Sequence, residues 1–137
     1  MEKILEITWR HTPDQAKPCL QCSDTKKNFS ELLQDLLPAF REEMISVRFR
    51  DELVDPGGQA SESQVILNGI PISFLLSHAA QGEAFCHASK WMPPPHIHRH
   101  YAGPGGISCD EAPEIIFRKA IVLSFDDDIR RRFSALR

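Results

Sequence analysis

The chain of 137 residues has the length of one domain, and its 42% hydrophobic and 26% charged residues exclude the composition of a disordered protein. A net charge of −3 and a pI near 6.0 lack the basic field of a general nucleic-acid binder. No apolar run approaches the roughly 20 residues of a membrane-crossing helix, and Met1-Glu2-Lys3-Ile4 lacks the order of a secretion signal. A cytoplasmic protein with neither nucleic acid nor membrane as partner is the expectation.

Lys3 to Arg10 reads as a first strand, on the mostly apolar run Ile4, Leu5, Ile7 and Trp9. Pro13 and Pro18 bracket a loop leading to Cys19. Phe29, Leu32, Leu33, Leu36, Leu37, Phe40 and Met44 recur at spacings of three and four, which predicts the buried face of a helix. Ser23, Asp24 and Thr25 offer its cap, and Pro38 predicts a kink or break. From Ile45 to Val54, Ile45, Val47, Phe49 and Leu53 alternate with Arg48, Arg50 and Glu52, as in a strand at or near an edge.

Asp55-Pro56-Gly57-Gly58 marks a turn. Val65 to Leu67 reads as a third strand, Asn68-Gly69 as a two-residue hairpin turn, and Ile70 to Leu76 as a fourth strand held near an edge by Pro71. Residues 77–109 combine Pro93-Pro94-Pro95, several glycines and histidines and two cysteines, and read as an irregular insert. Glu111 to Leu123 resumes helical spacing with Pro113 in its first turn. Asp126-Asp127-Asp128 ahead of Arg130-Arg131-Arg132 predicts a short helix in the tail over 125–137.

The four cysteines are Cys19, Cys22, Cys86 and Cys109. In a reducing compartment they point to redox chemistry or metal binding before structural disulfides. A CxxC pair at a helix start has a physical logic. The partial positive charge and free donors of the helix end favour a thiolate, and the thiolate is the nucleophile. Lys26 and Lys27 add to that field. Cys19 is then the exposed attacking sulfur, and Cys22, one turn into the helix, resolves the mixed disulfide. The same pair also reads as half a zinc site, or as two inert thiols; no second CxxC completes a zinc set. Strand, helix, strand, hairpin and helix with a CxxC at the first turn point to an α/β fold of thioredoxin-like type.

Four stretches carry a resemblance: Thr8-Trp9, the run from Cys19 to Thr25, the run from Glu62 to Pro71, and the run from Ala112 to Ala120. They resemble the thioredoxin superfamily, and more closely a small prokaryotic thioredoxin-like family with a CxxC motif. The resemblance implies one domain over 1–137 with a central four-stranded mixed sheet and helices packed on it. It implies thiol-disulfide exchange with protein or small-molecule thiols and disulfides, and no required cofactor. Two departures are visible. Pro18-Cys19-Leu20-Gln21-Cys22 stands where thioredoxin has Trp-Cys-Gly-Pro-Cys, and Ser63 or Gln64 stands where the superfamily places a cis-proline facing the cysteines. Ser63 and Gln64 are therefore the expected substrate-contacting residues, and the space beside the sulfurs suits a metal or metalloid such as zinc, copper or arsenic.

His96, His98 and His100 alternate and would share one face of an extended strand, where imidazoles ligate zinc or copper; Cys86 and Cys109 supply further ligands in that alternative. Polyproline geometry after Pro93-Pro94-Pro95 would instead splay them in a surface loop. A third alternative is an interaction domain with incidental cysteines. Trp9 reads as a packing residue, and no Ser/His/Asp arrangement has supporting context in the sequence.

Overall fold

The computed structural model describes residues 3–13, 17–53, 64–86, 98–103 and 108–135. Strand β1 (Lys3–His11) is central: it pairs in parallel with β3 (Ile45–Leu53) and antiparallel with β4 (Gln64–Leu67). A two-residue strand, β5 (Ile70–Pro71), closes the order β3-β1-β4-β5. A parallel pair needs a crossover, and helix α1 (Phe29–Glu42) supplies it. β3 is thus an edge strand, as its alternation predicts. Asn68 and Gly69 turn the β4–β5 hairpin with φ of 51° and 85°, the left-handed pair that a type I′ turn requires. The Asn68 side chain fixes this turn to the sheet by accepting from the Glu6 backbone N–H at 2.8 Å.

Helix α1 starts at Phe29, later than the cap residues read from sequence. Asn28 is its cap, in a reciprocal capping box with Glu31. The helix runs on through Pro38, which lies on the exposed face where solvent can take the carbonyl that proline leaves unbonded. Phe29, Leu32, Leu33, Leu36 and Phe40 enter the core, whereas Leu37 and Met44 are exposed. Met44 adopts φ of 59° beyond the helix end, which swings it off the buried stripe.

The fourth strand is corrected most. Only Ile70 and Pro71 are strand, and Ile72–Cys86 is helix α2. Ile72, Leu75, Leu76, Ala79 and Ala80 are buried at helical spacing, and the burial of that face outweighs the strand propensity of Ile70-Pro71-Ile72-Ser73-Phe74. The irregular insert over 77–109 is corrected with it. Its start is helix, and it contains β6 (Arg99–Ala102) and the first residues of β7 (Ser108–Ala112). Residues 87–97 and 104–107 lie outside the described residues, as does the turn at 55–58.

Pro113 caps α3 (Glu114–Leu123), and α4 (Asp127–Ala135) follows. Asp126 Oδ1 accepts from the backbone N–H groups of Asp128 and Ile129, so the acidic run caps that helix as read. The result is an α/β domain with a mixed four-stranded sheet and, among the described residues, four helices. α2 and α3 pack on each other, and one core joins Leu5, Ile7 and Leu67 of the sheet to all four helices.

Candidate functional site

Cys19–Cys22 is not the first turn of a helix. It forms a short strand, β2, in a second sheet of order β2-β7-β6, with β2 parallel to β7 and β6 antiparallel to it. Register places Cys19 directly opposite Cys109, with Cα atoms 4.7 Å apart, and a disulfide joins them. Side chains alternate along a strand, so Cys19 and Gln21 leave one face and Leu20 and Cys22 the other. The expected partnership of Cys19 with Cys22 is therefore replaced by one with Cys109, 90 residues away in sequence. Cys19 is half-buried, while Cys109 is 1% exposed.

Cys22 is a free thiol, 2% exposed, on the core side of β2. Burial pushes its thiol up from the ordinary value of 9.0; a hydrogen bond with Thr25 opposes this, and the charges of Glu114 and Asp24 add to the rise. Lys27 acts in the lowering direction, but its ammonium is shared between Asp35 at 2.6 Å and Glu114 at 3.1 Å. The field expected from Lys26 and Lys27 thus does not activate Cys22. Asp24, read as a cap for α1, instead accepts from the Glu114 N–H at 3.0 Å, at the first residue of α3. Glu114 is held below its ordinary value by Arg118 first and Lys27 second. These contacts join the chain after β2 to α3.

The face of the small sheet that bears Leu20 and Cys22, away from the disulfide, also carries a polar cluster. Asp110, 5% exposed, sits beside Cys109 in β7 and points the other way. Its Oδ1 lies 2.8 Å from His98 Nε2 and 3.0 Å from His100 Nδ1. His98 Nδ1 lies 3.1 Å from Ser77 Oγ on α2. The His98 side chain is 8% exposed. His98 and His100 do share a face, as alternation predicts, but both address Asp110. His96 and the side chain of Cys86, the last residue of α2, lie outside the described residues, and Cys109 is committed to Cys19 on the other face. Among the described residues no group of three His, Cys, Asp or Glu side chains is arranged to hold a metal ion.

Gln64 is the first residue of β4, paired with Arg10 near the end of β1, the end from which the chain leaves toward Cys19. Ser63 lies outside the described residues. Nearby, Trp9 stacks on His11 with ring centroids 3.6 Å apart, and His11 Nε2 contacts Asp51 on β3. Trp9 thus packs as expected, while the His11 contacts were not read from sequence. The Ser77–His98–Asp110 chain was likewise missed. Its members come from a helix, a strand approach and a strand separated by 21 and 12 residues, and no spacing rule links them. Among the described residues no helix is long and apolar enough to cross a membrane.

No curated protein and no solved structure matches the chain. One family model matches residues 5–120, from within β1 to within α3, and so covers both cysteines of the disulfide. The chain belongs to the family described as a domain of unknown function, DUF2703.

Proposed function

We propose that the protein is a thioredoxin-like dithiol protein that exchanges disulfides with protein or small-molecule thiols through Cys19 and Cys109. The Cys19–Cys109 disulfide carries this reading: a half-buried sulfur in the connection that follows β1 is bonded to a buried sulfur on the adjacent strand β7. In the reduced form the Cys19 thiolate attacks a client disulfide and displaces one client thiolate. The Cys109 thiolate then attacks Cys19 Sγ, releases the second client thiolate and restores the intramolecular disulfide. Two electrons pass to the client, and the reverse sequence oxidises a client dithiol. Exposure assigns the roles, since a client can reach Cys19 before Cys109.

The order β1, α1, β3, then β4, β5 and α2, with β1 between β3 and β4, supports the thioredoxin-like part of the reading. Cys22 is left as a buried thiol on the far face, outside the exchange. The position of Gln64 at the Cys19 end of β1 favours its contact with a client. The same two sulfurs also favour a second reading, in which the reduced pair binds a soft cation or metalloid through two thiolates on neighbouring strands. Redox titration against glutathione, with mass-spectrometric trapping of the mixed disulfide, tests the proposal. Cys109→Ser should trap client on Cys19, Cys19→Ser should abolish exchange, and Cys22→Ser should retain it. Full activity in Cys19→Ser contradicts the exchange mechanism.

A further inference from the structure

The cluster on the face of the small sheet away from the disulfide has a connectivity that the exchange reaction does not use. Asp110 accepts from His98 Nε2–H, and that bond fixes the ring tautomer. The neutral ring then presents the Nδ1 lone pair to the Ser77 hydroxyl, 3.1 Å away. His100 Nδ1, 3.0 Å from the same carboxylate oxygen, holds Asp110 from the neighbouring strand. A hydroxyl, an imidazole base and a buried carboxylate that orients the base are the three parts of an activated nucleophile. The His98 and Asp110 side chains are 8% and 6% exposed, and Ser77 is half-buried.

We propose that Ser77, His98 and Asp110 form a second reactive centre, an acyl-transfer site that takes small activated carboxylic esters. Ser77 Oγ bonds to the ester carbonyl carbon while its proton passes to His98 Nδ1. The carbon–oxygen bond to the leaving group breaks, His98 returns the proton to that oxygen, and an acyl-Ser77 remains. Water, deprotonated by His98, releases the acid by the same two steps. Ser77 and His98 touch the reacting atoms; Asp110 is a positioning residue.

The test uses the full chain and p-nitrophenyl acetate. Wild type should release about one equivalent of p-nitrophenolate in a burst and carry an acetyl group on the Ser77 peptide by mass spectrometry. Ser77→Ala should lose both. Asp110→Asn should slow the burst by about 10²-fold or more and remove a low-field proton resonance from His98 Nε2–H that Ser77→Ala retains. A second variant needs no ester chemistry: Ser77→Cys should be alkylated by iodoacetamide at about pH 6 faster than glutathione is, because His98 would take the thiol proton. Acetyl groups on lysines alone, a burst that survives Ser77→Ala, or a Ser77→Cys thiol no faster than glutathione would each overturn the proposal.

Discussion

The two sheets of this protein are assembled by different means. The four-stranded sheet joins β1 to β3 through one crossover helix and to β4, whose hairpin with β5 is set by two residues, Asn68 and Gly69. The three-stranded sheet joins residues 19–22 to residues 99–102 and 108–112, held by a disulfide on one face and the Asp110 cluster on the other. The first sheet brings Leu5, Ile7, Val65, Leu67 and Ile70 to the core, and the second carries the disulfide and the Asp110 cluster. Groups brought together from distant segments cost more chain entropy to assemble, and here a covalent bond and a buried polar network offset that cost.

The comparison breaks first at Leu5, fully buried in β1. Leu5→Ala should destabilise the whole domain by about 2–5 kcal/mol in urea unfolding while Cys19 and Cys109 keep their pairing. Next is reduction of the disulfide, which spans 90 residues. It should lower stability by about 2–5 kcal/mol, and hydrogen exchange should rise in β2 and β7 before β1. Exchange that rises equally in both sheets would show that the small sheet has no separate stability.

Smaller effects sharpen the boundary between the sheets. Asn28 caps α1 just after β2, and Asn28→Ala should cost about 1 kcal/mol by thermal or urea unfolding, without changing disulfide exchange. The least is a pH effect from Cys22, whose thiol is raised above 9.0 by burial. A raised folded-state value means that the native protein holds the proton longer than the unfolded chain. The resulting stability is fully present below the unfolded value and is lost as pH rises through the folded one. Unfolding curves for wild type and Cys22→Ala should therefore converge with increasing pH only above about 9.0. Curves that stay parallel would place Cys22 in water.

Much of the large sheet was legible in the sequence. β1, the edge strand β3, the Asn68-Gly69 hairpin and the buried stripe of α1 follow from periodicity and turn chemistry, which are local. The stretch after Gly69 was misread because Ile70, Ile72 and Phe74 carry strand propensity, while Ile72, Leu75, Leu76 and Ala79 carry helical spacing. Tertiary burial decides between them. That Cys19 belongs to a pair of sulfurs was legible, but its partner was not. CxxC spacing favours Cys22 only if the pair begins a helix, and in a strand the two thiols point apart. The pairing of β2 with β7, and with it Cys109, Asp110 and the contact to Ser77, is a register between distant segments that no local pattern encodes.

The central claim is that Cys19 pairs with Cys109 and not with Cys22. It is tested most directly by alkylating the native, air-oxidised protein with one reagent, then denaturing, alkylating with a second, and mapping the peptides under non-reducing conditions. The expected result is a Cys19–Cys109 cross-linked peptide, with Cys22 recovered carrying only the second reagent. A Cys19–Cys22 disulfide, or Cys19 carrying the first reagent, would contradict it.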